Sequence, residues 1–168
     1  MDNNASSKLF PVSWDQFHRD SKALAWRLAD KGDWSAIIAV TRGGLVPSAI
    51  VARELNIRVI ETVCVTSYNP EHQRGDIEVL KRISDSLLSG PNFKSDTILC
   101  IDDLVDTGST MAVVKDMIPS AHIATVYAKP DGLSNVDTFI TEVSQDTWIY
   151  FPWDTELQFA PPINPSGV

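Results

Sequence analysis

The run Asp102-Asp103-Leu104-Val105-Asp106-Thr107-Gly108-Ser109-Thr110 carries the densest set of groups able to do chemistry. It follows the apolar stretch TILCI and precedes the helical pattern MAVVKDMI, so it lies between a strand and a helix. Gly108 permits a tight turn, and the N–H groups after it face outward at the positive end of a helix dipole. Thr107, Ser109 and Thr110 add hydroxyl donors. Together they make a phosphate cradle without the lysine of a Walker loop, whose GxxxxGK[ST] pattern does not occur. Asp102 and Asp103 have the opposite chemistry. Carboxylates accept hydrogen bonds, and their natural partners are sugar hydroxyls or a hard cation such as Mg²⁺. One loop offering donors to a phosphate and acceptors to hydroxyls fits a ribose 5-phosphate. Taken alone, TGST would serve equally well as a helix N-cap and the acids as solvated turn residues.

Two further clusters sit at comparable places. Arg42-Gly43-Gly44 ends the buried-strand run SAIIAV, and Lys129-Pro130 ends HIATVYA. Around them the pattern alternates strand and helix. Ser13 and Gln16 form a capping box for a first helix carrying Trp14, Phe17, Leu24 and Leu28 on one face, stopped at Gly32. LVPSAIVARELN reads as a second helix with Pro47 near its first turn and Asn56 at its end. RVIETVCVTSY and TFITEV read as strands and IEVLKRI as a candidate strand; NPEHQRGD is a polar loop, and SDSLLSGPNFK a surface excursion. Such alternation predicts an α/β fold with a twisted, mostly parallel sheet flanked by helices. Ligands of such sheets sit beyond the carboxyl ends of the strands, and all three clusters fall there.

The chain of 168 residues is sized for one domain, residues 1–168, with residues 1–11 expected as a disordered extension. A net charge of -8 repels phosphate backbones and argues against nucleic acid as a partner. Cys64 and Cys100, each in an apolar run, read as buried free thiols. The opening residues lack the layout of a signal peptide, and no apolar run approaches the roughly 18 residues of a membrane helix. A cytoplasmic location is expected.

The segments TRGGLVP, TVCVTSY, QRGDIEVLKR, DDLVDTGST, AKP and QDTWIYFPWD, in that order, resemble the bacterial xanthine-guanine phosphoribosyltransferases over residues 12 to 165. The central one matches the 5-phosphoribosyl 1-pyrophosphate (PRPP) motif of type I phosphoribosyltransferases. The resemblance implies the type I fold, with a small hood from the C-terminal segment. It also implies purine salvage: transfer of the 5-phosphoribosyl group to N9 of guanine, xanthine and, less efficiently, hypoxanthine, giving GMP, XMP or IMP and pyrophosphate.

Its residue roles carry over position by position. Arg42 and Gly43 would bind pyrophosphate, Arg42 by a charged fork and Gly43 by close backbone approach, with a cis peptide just before Arg42. Asp102 and Asp103 would hold the ribose hydroxyls, and Asp103 also Mg²⁺. Leu104, Val105, Asp106, Thr107, Gly108, Ser109 and Thr110 would surround the 5′-phosphate. Asp106 would face the purine N7 as general acid/base, and Lys129 would donate to O6. The Ile149 carbonyl would accept from the 2-amino group, and Trp148 would stack on the purine; it would fit core packing equally well beside Tyr150, Phe151 and Trp153. The loop carrying Arg74, with Ser67-Tyr68 at its base, looks like a lid over PRPP, and Arg74 itself either contacts pyrophosphate or is simply solvated. Ser109 departs from the Gly common at its position, and Ser84 to Lys94 is longer than usual. Relatives form homotetramers and associate weakly with the cytoplasmic face of the inner membrane, so both are implied. A non-catalytic regulator retaining the PRPP motif is the main rival, but it would need a basic face.

Overall fold

The computed structural model describes residues 8–67, 77–91 and 93–154. Arg74 and Tyr68, and with them the expected lid, lie outside the described residues, as do residues 1–7. The strands are β1 (Lys8–Pro11), β2 (Ala36–Thr41), β3 (Val59–Ser67), β4 (Ile77–Lys81), β5 (Ile98–Val105), β6 (His122–Ala128), β7 (Thr138–Glu142) and β8 (Thr147–Tyr150). The helices are α1 (Trp14–Ala29), α2 (Leu45–Glu54), α3 (Asp85–Leu88) and α4 (Ser109–Met117), with a 3-10 helix over Pro130–Asn135.

Six strands form the central sheet in the order β4-β3-β2-β5-β6-β7, and only β4 runs antiparallel to its neighbour. The continuous apolar runs of β2, β5 and β6 are buried on both faces, as parallel strands between helical layers must be. Ile37, Leu99, Ile101 and Val126 pack with Phe17, Leu24 and Leu28 of α1 and Val51 of α2. On the opposite face Ile38, Ile98, Cys100 and Ile123 pack with Met111 and Val114 of α4 and Leu87 of α3. Ser13 Oγ caps α1 by accepting from Gln16 N at 3.2 Å. Asn56 ends the second helical segment in the left-handed region, φ 56°. Cys100 is buried, whereas Cys64 is only half-buried because β3 lies near the sheet edge.

The expected disordered extension needs correction over residues 8–11. They form β1, which pairs in parallel with β8 in a separate two-stranded sheet, Leu9 opposite Trp148 and Phe10 opposite Ile149. Phe10 packs edge-on against Tyr127 with ring centres 6.0 Å apart, so burial of an aromatic ring anchors the strand. The hood therefore draws on both the first and the last described segments.

At the other edge, Glu61 of β3 accepts from Lys81 Nζ at 2.6 Å and from Ser84 Oγ at 2.7 Å. These two donors, Lys81 first, bring its carboxyl from 4.5 down to about 2. A carboxyl lowered on folding stabilises the fold fully above its unfolded value, and the contribution disappears as pH falls through the folded value. Glu61→Gln should therefore lower Tm at pH 7 by roughly 2–4 °C per kcal/mol lost, with the wild-type and variant Tm curves converging between about pH 4.5 and 2. Parallel curves over that range would show that the charge of Glu61 contributes nothing to this edge.

Candidate functional site

The chain leaves β2 through α2 to reach β3 on one side, and leaves β5 through α4 to reach β6 on the other. The adjacent strands β2 and β5 thus form the point where the winding reverses, which opens a crevice beyond their carboxyl ends. Arg42 and Gly43 stand at the end of β2, and Asp102 and Asp103 near the end of β5. They line one cleft of about 590 Å³ with Thr110, Phe151, Trp153 and Asp154.

The β2 side is fixed by its backbone. Thr41 Oγ1 donates to Val63 O at 3.1 Å, and the Thr41–Arg42 peptide is cis. The Arg42 side chain is exposed toward the cleft. A Cβ added to Gly43 would overlap the carboxylate of Asp103, whereas one added to Gly44 would overlap the backbone of Ile101 and Val40, so it is Gly44 that lets these two strand ends come this close.

On the β5 side, Asp103 N donates to Asp102 Oδ1 at 2.9 Å. Removal from water pushes both carboxyls upward. Asp103 rises to about 6, with the charge of Asp154 adding to the effect, and Asp102 rises well above the usual carboxylate range, with the charge of Asp103 adding. A paired acid in such a crevice gains from a cation. Among the described residues no group of three or more His, Cys, Asp or Glu is arranged to hold a metal. The two adjacent carboxylates of Asp102 and Asp103 match what Mg²⁺ takes from a protein, one or two carboxylates with its remaining positions filled by substrate oxygens and water.

Beyond Asp103 the chain forms a second, smaller cavity of about 110 Å³, lined by Asp102 and the whole stretch from Leu104 to Met111. Gly108 occupies the N-cap of α4 in the left-handed region, φ 82°, and a Cβ there would overlap the side chain of Asn135. Gly108 offers no side-chain acceptor to the first N–H groups of α4, leaving them to an anion. Ser109 starts the helix and is not among the positive-φ residues, so the serine fits without strain; its Oγ lies 3.0 Å from Thr107 Oγ1. Asp102 and Thr110 line both cavities, so the two are neighbours across the end of β5.

Asp106 and Lys129 meet at the third strand end. Lys129 Nζ lies 3.1 Å from Asp106 Oδ2, its side chain only 7% exposed while that of Asp106 is 52% exposed. A lysine before proline at a strand end is usually solvated; here its backbone N–H donates to Val105 O at 2.9 Å, drawing it down beside the loop. Gln145 Nε2 donates to the other oxygen of Asp106 at 2.7 Å. Three residues beyond Gln145, Trp148 is 59% exposed, whereas Ile149 is buried in the core cluster that holds Phe17 and Tyr127. Trp153 and Phe151 stack with ring centres 4.9 Å apart, and they also line the cleft. Sequence reasoning placed them as packing alone and overlooked Gln145, Asn135 and Asp154.

A family model described as "Phosphoribosyl transferase domain" matches residues 13–160. Among solved structures, a purine phosphoribosyltransferase from Pyrococcus horikoshii Ot3 is similar with a TM-score of 0.72 and 26% identity, over 87% of this chain and 93% of that one. The xanthine-guanine-hypoxanthine phosphoribosyltransferase of Helicobacter pylori is similar with a TM-score of 0.68 and 24% identity, over 88% and 94% of the respective chains. A hypoxanthine phosphoribosyltransferase from Trypanosoma cruzi, complexed with the product IMP, gives 0.61 and 22%, over 86% and 80%.

Proposed function

Because the chain belongs to the phosphoribosyltransferase family and has its type I fold, we propose that it transfers the 5-phosphoribosyl group of PRPP to N9 of a 6-oxopurine, guanine and xanthine before hypoxanthine. The observation that carries this reading is the pair of adjoining cavities, with paired acids standing between a small loop cavity and the Arg42-Gly43 strand end. A ribose bearing phosphate at one end and pyrophosphate at the other has the same order of groups. The 5′-phosphate would sit on the N–H groups following Gly108, the ribose hydroxyls on Asp102 and Asp103, and the pyrophosphate at Arg42. Mg²⁺, held by Asp103 and pyrophosphate oxygens, would neutralise charge on the leaving group.

The residues then divide the remaining work. The bond from C1′ to pyrophosphate oxygen breaks, the purine N9 bonds to C1′, and the N7 proton passes to Asp106. Asp106 has a donor on each carboxylate oxygen, which keeps it oriented as an acceptor. Lys129 has donors to spare beyond Asp106, and O6 of the base would take one. Trp148, exposed on the hood, offers a stacking face, and the Ile149 carbonyl an acceptor for a 2-amino group. Much of the acceleration would come from positioning and charge stabilisation.

Lys129→Ala should raise KM for guanine by roughly 10-fold or more, the worth of a charge-assisted hydrogen bond of about 1.5–3 kcal/mol, while PRPP affinity stays nearly constant. An equal loss of PRPP affinity would remove Lys129 from base recognition. The whole reading is tested by pyrophosphate release from MgPRPP with guanine, xanthine, hypoxanthine and adenine in turn. Release with the first three and none with adenine is expected. Silence with all four in a protein that still binds PRPP would overturn catalysis and favour the regulator.

A further inference from the structure

We infer that Gln145 is a positioning residue that acts through Asp106, holding its carboxylate toward the base while Lys129 serves both Asp106 and O6. The inference rests on the proton-accepting role proposed for Asp106. Its basis is the pair of contacts made by one amide. Gln145 Oε1 accepts from Asp131 N at 3.1 Å, at the start of the 3-10 helix, and Gln145 Nε2 donates to Asp106 Oδ1 at 2.7 Å. These contacts fix which end of the amide is which, because the reverse orientation would set oxygen against carboxylate and N–H against N–H.

The residue itself is held in place. It stands in the turn between β7 and β8, where Thr147 N donates to Ser144 O at 3.0 Å and Ser144 Oγ pairs with Asp146 Oδ1 at 2.6 Å and Thr147 Oγ1 at 2.7 Å. Val143 N donates to Ala128 O at 2.9 Å, tying the strand before the turn to the residue preceding Lys129. The Asp106 loop, the Lys129 strand end and the entry to the hood thus converge on one carboxylate. Without Gln145, the half-exposed Asp106 would be gripped on one oxygen only and free to rotate about it. An acceptor needs its lone pair aimed at N7, and a misplacement of about 1 Å can cost on the order of 100-fold in rate.

Gln145→Glu is nearly isosteric. It keeps an acceptor for Asp131 N but places an acceptor against Asp106 where a donor stood. Gln145→Ala removes both contacts. Each should lower kcat about tenfold, a fraction of the full positioning cost, with KM for PRPP unchanged within twofold and Tm nearly constant. The deciding measurement is a double-mutant cycle with Asp106→Asn, assayed by pyrophosphate release. If Gln145 acts through Asp106, Gln145→Ala costs nothing further in the Asp106→Asn background. A cost of equal size in both backgrounds, a kcat within twofold of wild type for the single variants, or a rise in both KM values with a fall in Tm would overturn the inference and leave the role of Asp106 standing. Wild-type turnover by Asp106→Asn, or a wild-type protein silent with every base, would overturn the role of Asp106 and this inference together.

Discussion

Asp106→Ala is expected to cut kcat by roughly 100-fold or more, the ordinary contribution of a positioned general acid or base, while PRPP binding stays close to wild type. The separation follows from where the atoms lie. The 110 Å³ cavity is lined by residues from Leu104 to Met111, and its phosphate donors are backbone N–H groups and hydroxyls that survive loss of the Asp106 side chain. What disappears is the carboxylate that Lys129 and Gln145 hold between them. Removing it also leaves the ammonium of Lys129, 7% exposed, without its counter-ion, so the alanine variant should be somewhat less stable. Asp106→Asn separates the effects, since it keeps an oxygen for Lys129 but lacks the basicity to take a proton. Turnover near wild type in the asparagine variant would remove Asp106 from the chemistry. Loss of PRPP affinity matching the loss of kcat would make it a substrate-binding residue instead.

Gly43→Ala should be nearly as damaging by a different route. The added methyl group would occupy the space of the Asp103 carboxylate, and one of the two must move. What the methyl group meets is the end of the Asp103 side chain, so the carboxylate gives way, and in doing so leaves the position proposed for Mg²⁺ and the ribose hydroxyls. Displacing it by an ångström should weaken MgPRPP binding by on the order of 10- to 100-fold, with little change in the KM for guanine. Titration of MgPRPP against each protein measures the first, and steady-state kinetics at saturating PRPP the second. Affinity within twofold of wild type would mean that the carboxylate relaxes without cost and that its contact with Gly43 has no role in binding.

What could be read from the sequence was what is encoded locally. The loop from Asp102 to Thr110 declares itself because strand, turn and helix N-terminus are consecutive, and each residue type is required by its immediate neighbours. The parallel sheet was legible for the same reason, through continuous apolar runs bounded by turns. Gln145 was not. A polar residue in a turn has no pattern of its own, and its importance depends on a fold that brings it to a carboxylate 39 positions away. Nor was β1, since four residues reading Lys-Leu-Phe-Pro show no alternation, and their strand exists only by virtue of its partner β8. Trp153 falls between the cases: its apolar character was plain, but stacking on Phe151 hides one face while the cleft uses another.

The pairing of β1 with β8 also orders events in time. As the chain is synthesised, residues 8–11 emerge early and have no strand to join until residues 147–150 follow. The cradle from Asp106 to Thr110 needs only β5, α4 and their neighbours in the sheet, all of which are made by then. In the proposed reaction the residues that seat ribose phosphate thus precede along the chain the strand that presents a surface to the base. Because that strand is paired with residues 8–11, a change confined to the start of the described chain reaches Trp148 and Ile149 through the backbone ladder rather than through the sheet that carries the cradle.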